Sequence, residues 1–135
     1  MSTLPDTRCI LIVEDHGQTS HVMARLARAR GLPVMTAGSL AEARKCISEG
    51  KVGFLISDLG LPDGNGCDLM IELRERFGIK GVAISGFGME TDLARTREAG
   101  FALHLIKPIV LVDLERVLAM ARTELSRPDL PSHQG

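Results

Sequence analysis

The sequence predicts an α/β domain built on a parallel sheet. Three observations predict it. Apolar runs of strand length recur along the chain: "CILIV" (9–13), "GFLIS" (53–57), "GVAIS" (81–85) and "ALHLI" (102–106), with a weaker fifth, "PVMTA" (33–37). CILIV and GFLIS are apolar almost throughout, as strands are when helices cover both faces of their sheet. Stretches of helical periodicity follow the runs, so strand and helix alternate five times, and parallel neighbours require such crossovers.

The elements can be justified in order. After CILIV, Val22, Met23, Leu26 and Ala29 share one helical face; after PVMTA, Leu40, Ala43 and Ile47 do. The second of these helices opens with "SLAE" (39–42), a capping box in which Ser39 and Glu42 satisfy free amides at the helix start. Met70, Leu73 and Phe77 form the third face. The stretch from Met89 to Ala99 is the least amphipathic, with Leu93 as its clearest anchor and the weakest hold on the sheet. Leu114, Val117, Leu118, Ala121 and Leu125 form the fifth and most regular face. Gly31, Gly50, Gly78 and Gly100 each follow a helical stretch, where glycine accepts the left-handed conformation that ends helices.

A chain of 135 residues suits one domain. Hydrophobic residues at 44% and charged residues at 24% match an ordinary globular composition rather than a disordered one. No apolar run approaches the roughly 20 residues needed to cross a bilayer, and "MSTLPDTR" lacks the layout of a secretion signal. Cytoplasm is the expected location, without membrane contact. The net charge of −1 offers no basic excess for nucleic acid, and the arginines of "ARLARARG" fall at the spacing of a solvated helix face. Cys9, Cys46 and Cys67 are odd in number and far apart, and read as reduced residues rather than a zinc site. His16, His21, His104 and His133 show no metal-ligand spacing either. Asp63 reads as a solvated loop residue. Residues 1–7 read as an extension, 8–125 as the domain, and 126–135, polar and with two prolines, as a tail that does not pack.

In open parallel sheets the functional crevice lies beyond the carboxyl ends of the strands. The residues at those ends are Glu14 and Asp15, then Asp58, then Ser85, then Lys107 followed by Pro108. Three carboxylates, a hydroxyl and an ammonium thus meet at one sheet edge. Two carboxylates about 4 Å apart repel by ~4 kcal/mol at an effective dielectric near 20. A structural role would not offset that cost, whereas a hard divalent cation would. Mg²⁺ favours one or two carboxylates, waters and phosphate oxygens over a full protein cage.

The motifs "LIVEDH" (11–16), "ISDLGLPDGNG" (56–66), "AISG" (83–86) and "LIKP" (105–108), each closing a strand, resemble the receiver domain of two-component response regulators. The resemblance runs from about Arg8 to Leu125. It implies a doubly wound, flavodoxin-like (βα)5 sheet in strand order 2-1-3-4-5. It implies Asp58 as phosphoacceptor, taking a phosphoryl group from a phosphohistidine on a histidine kinase or histidine phosphotransfer domain. Glu14, Asp15 and Asp58 would hold Mg²⁺ (or Mn²⁺), with the Gly60 backbone carbonyl as a further ligand. Lys107 and Ser85 would contact the phosphoryl oxygens, and Lys107–Pro108 can be a cis bond, as in relatives. His104 stands where many receivers carry an aromatic residue that rotates on phosphorylation. Gly60 and Phe87 occupy positions that tune water access; neither has a polar side chain, so slow self-hydrolysis is expected. Such a domain catalyses its own phosphorylation and dephosphorylation without being a conventional enzyme. Its output would pass through the face of the fourth helix, fifth strand and fifth helix, to a downstream protein or a second copy.

Other functions fit less well. A haloacid-dehalogenase-type phosphatase needs a second acid two residues after its aspartate, where this chain has Gly60. "EDHGQTS" offers neither a dinucleotide fingerprint nor a P-loop. A degenerate receiver, acting only as a docking module, would lack some of the site residue types present here. "EAGFALHLIKPIVLVDLERVL" (98–118) is similar to receivers attached to hybrid histidine kinases, so the receiver of such a kinase is the expected setting. A stand-alone single-domain regulator is the alternative.

Overall fold

Successive residues of β1 (Cys9–Val13) are buried on opposite faces: Ile10 and Ile12 enter one apolar cluster, Leu11 and Val13 the other. That arrangement explains the absence of polar alternation in the run. The computed structural model describes residues 8–86 and 93–127. In chain order β1 is followed by α1 (Gly17–Ala29), β2 (Val34–Ala37), α2 (Leu40–Glu49), β3 (Val52–Asp58), β4 (Gly60–Leu61), β5 (Gly64–Asn65), α3 (Gly66–Phe77), β6 (Lys80–Ser85), α4 (Leu93–Ala99), β7 (Phe101–Ile106) and α5 (Leu111–Leu125).

Five of the strands form one parallel sheet in the order β2-β1-β3-β6-β7. This is the expected 2-1-3-4-5 order once the two-residue strands β4 and β5 are set aside. α1 and α5 supply Met23, Ala24, Ala27, Leu114, Val117, Leu118 and Ala121 to the cluster on one face. α2 and α3 supply Leu40, Ala43, Leu69, Met70 and Leu73 to the other, which Ala99 of α4 joins. The chain order reverses between β1 and β3, the point where such sheets open a crevice.

β4 and β5 pair antiparallel within the loop that follows Asp58, where the sequence shows only turn residues. The hairpin is pulled back against β3, with the Gly66 amide donating to Leu59 O at 2.9 Å. A Cβ at Gly66 would sit 2.3 Å from Asp58 O and 2.7 Å from Ser57 Oγ, so glycine is needed for this close approach.

Several local expectations shift. On α1, Met23 is buried as expected, but Val22 and Ala29 are exposed, and Ala24 and Ala27 are buried in their place. The buried stripe is rotated so that two alanines let the helix lie close to the sheet. Phe77 is half exposed, its ring covered by the Arg76 guanidinium 4.9 Å from the centroid. Leu93 is exposed, and Thr96 and Ala99 anchor α4. Gly78 caps α3 in the left-handed conformation, but Gly50 is extended, with φ −139°. In the capping box, Ser39 Oγ accepts from the Glu42 amide, while Glu42 Oε1 accepts from Gly38 rather than from Ser39. Cys9, Cys46 and Cys67 form no disulfide, and Cys9 and Cys67 are buried.

Candidate functional site

Backbone hydrogen bonds hold the residues just beyond the strand ends. The Glu14 amide donates to Ala37 O at 2.9 Å, Leu59 to Ile84 O at 2.9 Å, and Lys107 to Ser85 O at 2.8 Å. Glu14, Asp58, Ser85 and Lys107 therefore leave the sheet at one edge, with Asp58 paired in register to Ile84, next to Ser85. The Lys107–Pro108 peptide bond is cis.

The side chains converge there. Lys107 Nζ lies 3.0 Å from Asp58 Oδ2, 2.9 Å from Glu14 Oε1 and 3.1 Å from Glu14 Oε2. Glu14 and Asp58 are buried, whereas Asp15 stands at the exposed rim. One donor atom from each of Glu14, Asp15, His16 and Asp58 can be chosen so that all lie within 4.8 Å of one another.

The electrostatics follow from burial and from the shared ammonium. Burial pushes the Asp58 carboxyl above the ordinary aspartate value, and the neighbouring Glu14 adds to this, against the pull of Lys107. Burial acts in the same direction on Glu14. There, hydrogen bonds from Lys107 and from the His16 backbone and ring win, and hold it below the usual range. Burial would lower Lys107, but its bonds to Glu14 and Asp58 raise it. The cluster thus holds three carboxylates against one ammonium. Glu14 Oε1 is buried and accepts no hydrogen bond, despite the ion pair with Lys107. Carboxylate oxygens in excess of the one ammonium, gathered within 4.8 Å of one another, fit a divalent cation bound through oxygen.

Ser85 is fully buried, its Oγ 2.7 Å from His104 Nε2. The other ring nitrogen, Nδ1, lies 3.3 Å from Thr96 Oγ1 on α4, and that hydroxyl donates to Leu93 O at 2.8 Å. His104 therefore touches Ser85 through Nε2 and α4 through Nδ1. Gly60 lies in β4, exposed, two residues past Asp58; Phe87 lies outside the described residues.

Three participants escape the sequence reading. His16 joins the acidic cluster, contrary to the expectation drawn from histidine spacing, because it directly follows the acid pair rather than lying one helical turn from another ligand. Thr96 carries no pattern that distinguishes it from a surface threonine. Asp63 is not a merely solvated loop residue: its oxygens accept from the amides of Leu40 and Ala41 at 2.8 and 3.0 Å, tying the hairpin to the start of α2.

The model of the response regulator receiver domain family matches residues 10–119. The aerobic respiration control protein ArcA of Escherichia coli is 32% identical over 118 residues, which are 87% of this chain and 48% of ArcA. This chain thus spans about half of that relative. The sensor histidine kinase RcsC of Salmonella typhi is 25% identical over 116 residues, 85% of this chain and 12% of RcsC. Among solved structures, a response regulator receiver domain protein from Clostridium thermocellum superposes with a TM-score of 0.77 at 22% identity, covering 89% of this chain and 99% of that one. Among the described residues, no helix is long and apolar enough to cross a membrane. With the family match extending over most of its length, the chain belongs to the response regulator receiver domain family.

Proposed function

We propose that this receiver accepts a phosphoryl group on Asp58 within a two-component phosphorelay. The observation that carries the reading is the Lys107 ammonium held between two buried carboxylates, 3.0 Å from Asp58 Oδ2 and 2.9 Å from Glu14 Oε1. An Asp58 carboxylate oxygen attacks phosphorus. A new O–P bond forms as the N–P bond to a phosphohistidine breaks, and the electron pair returns to the imidazole, which is protonated by solvent. The donor is a histidine kinase or a histidine phosphotransfer domain. Phosphoryl transfer depends mainly on positioning and charge neutralisation. Lys107 meets the phosphoryl oxygens with a compact cation, and Ser85 donates its hydroxyl to them. Glu14, Asp15 and Asp58, with the Gly60 carbonyl, would hold Mg²⁺ or Mn²⁺, which when bound offsets the charge of the carboxylates and the incoming group.

Gly60 brings no polar side chain to orient water, and Phe87 is apolar, so the acyl phosphate is read as long-lived. Phosphorylation biases the face of α4, β7 and α5 toward a partner-binding state. Leu93, Ile106, Val110, Leu111 and Val112 are exposed on α4, at the end of β7 and around the start of α5, which supports docking of a downstream protein or a second copy there. The setting we favour is the receiver of a hybrid histidine kinase, supported by the similarity to RcsC over 85% of this chain. The alternative is a stand-alone regulator. The domain is read as a soluble cytoplasmic unit spanning 8–125.

The test is intact mass after incubation with Mg²⁺ and acetyl phosphate, on wild type and Asp58→Asn. One added phosphoryl group on the wild type and none on the variant is expected. Modification that survives in the variant overturns the assignment of Asp58, and an unmodified wild type favours a degenerate receiver.

A further inference from the structure

His16 is the residue between β1 and α1 that precedes the first helical turn, and its side chain makes no capping hydrogen bond to that helix. Its ring is 71% exposed and is held toward the acid pair by its hydrogen bond to Glu14 rather than by packing. Nδ1 lies 3.0 Å from Glu14 Oε2 and 3.5 Å from Asp15 Oδ1. Around an octahedral cation with bonds of about 2.1 Å, adjacent donors stand about 3.0 Å apart. The Glu14–His16 separation matches such an edge, and the Asp15–His16 separation reaches it with a small rotation of exposed side chains. Glu14 Oε1 faces the Lys107 ammonium at 2.9 Å, so the oxygen that Glu14 turns toward His16 is Oε2, and one donor atom each from Glu14, Asp15, His16 and Asp58 lie within 4.8 Å of one another.

We propose that His16 is an additional metal ligand, adding an imidazole nitrogen to the oxygen donors of Glu14, Asp15 and Asp58. The inference rests on reading this cluster as a divalent-cation site. Mg²⁺ is hard and gains little from nitrogen, whereas imidazole suits Zn²⁺ and other later first-row cations. Any mixed site gains affinity along that series, so the signature of His16 is the part of the preference that disappears with its ring. The consequence is a receiver loaded by transition cations more readily than an all-oxygen site would be.

The chain contains no tryptophan or tyrosine, so calorimetry is the suitable readout of binding. Wild type, His16→Ala and His16→Asn are titrated separately with Mg²⁺ and Zn²⁺, with circular dichroism as the folding control. Losing one ligand is expected to weaken Zn²⁺ by about tenfold or more, since even outer-shell changes cost about that much, and Mg²⁺ by less than about threefold. Pulsed electron paramagnetic resonance on the Mn²⁺-loaded wild type is expected to show histidine nitrogen coupling that both variants lose. Coupling absent from the wild type, or persisting in the variants, overturns the proposal, as does an equal loss for Mg²⁺ and Zn²⁺. Mg²⁺ binding without nitrogen coupling defeats this inference alone. Failure of the wild type to bind any of the three cations defeats the cation-site reading as well.

Discussion

Ser85 Oγ and His104 Nε2 are 2.7 Å apart, and the same ring reaches Thr96 Oγ1 at 3.3 Å. With the Thr96 proton given to Leu93 O, a neutral His104 ring donates from Nδ1 to Thr96 and accepts the Ser85 proton at Nε2. That proton cannot also go to a phosphoryl oxygen. Breaking a hydrogen bond of this kind costs about 1 kcal/mol, or roughly fivefold in affinity. His104→Phe is therefore expected to bind beryllofluoride with Mg²⁺ about fivefold more tightly than wild type, measured by nuclear magnetic resonance titration. Equal or weaker binding would mean that the bond to His104 does not compete with the phosphoryl group for the Ser85 proton.

Lys107 is the counter-charge of the buried carboxylates. Lys107→Met leaves Glu14 and Asp58 facing each other unpaired, and removing one partner from a buried ion pair costs about 3 kcal/mol at the lower end. Urea denaturation in divalent-free buffer is expected to show a loss of that order. Added Mg²⁺ should recover part of it, since a bound cation screens the same repulsion.

Asp58 has the opposite sign. Burial raises its pKa in the fold above the ordinary carboxylate value, so the folded state binds more protons than the unfolded state between those two values. Stability then falls as pH rises through that interval, and the penalty is fully present above it. Asp58→Asn is expected to melt higher than wild type at pH 7 without metal. The gain should fade as pH falls through that interval and be gone below the ordinary aspartate pKa. A variant that melts lower at pH 7 would contradict the cause given for the shift.

Gly66→Ala tests the close approach of α3 to β3. Its methyl would meet Asp58 O at 2.3 Å, and overpacking of this kind costs typically 1–3 kcal/mol. Gly17→Ala has nothing within 4 Å of its Cβ and lies at the start of α1, so it is expected to be neutral or stabilising. Chemical denaturation of the two variants side by side separates close packing from helix propensity.

Asp63 should show a pH signature of its own. The Leu40 and Ala41 amides hold its carboxyl below the usual value. Its stabilisation is thus complete above the unfolded pKa and is lost as pH falls through the lowered folded one. Asp63→Ala is expected to melt lower than wild type at pH 7, with the difference closing in strong acid. A difference independent of pH would point to the turn rather than the carboxylate.

The sheet was legible because CILIV and GFLIS carry the mark of burial on both faces within their own residues. The edge strand β2 was fainter because its first three residues are only partly covered or exposed. Helix periods were legible and their phases were not. Val22 and Leu93 share a period with buried neighbours, yet the angle at which α1 and α4 meet the sheet is set by residues far away in sequence.

By itself the sequence determined the strand and helix order and the identity of the groups at the strand ends, because both depend on local pattern and on where each strand stops. Only the tertiary structure decided which groups touch: Lys107 with Glu14 and Asp58, His104 with Ser85 and Thr96, Asp63 with the start of α2, and His16 with the acid pair. The first three kinds of contact join separate elements and depend on sheet order, register and helix tilt. The last depends on a backbone turn that residue spacing does not specify.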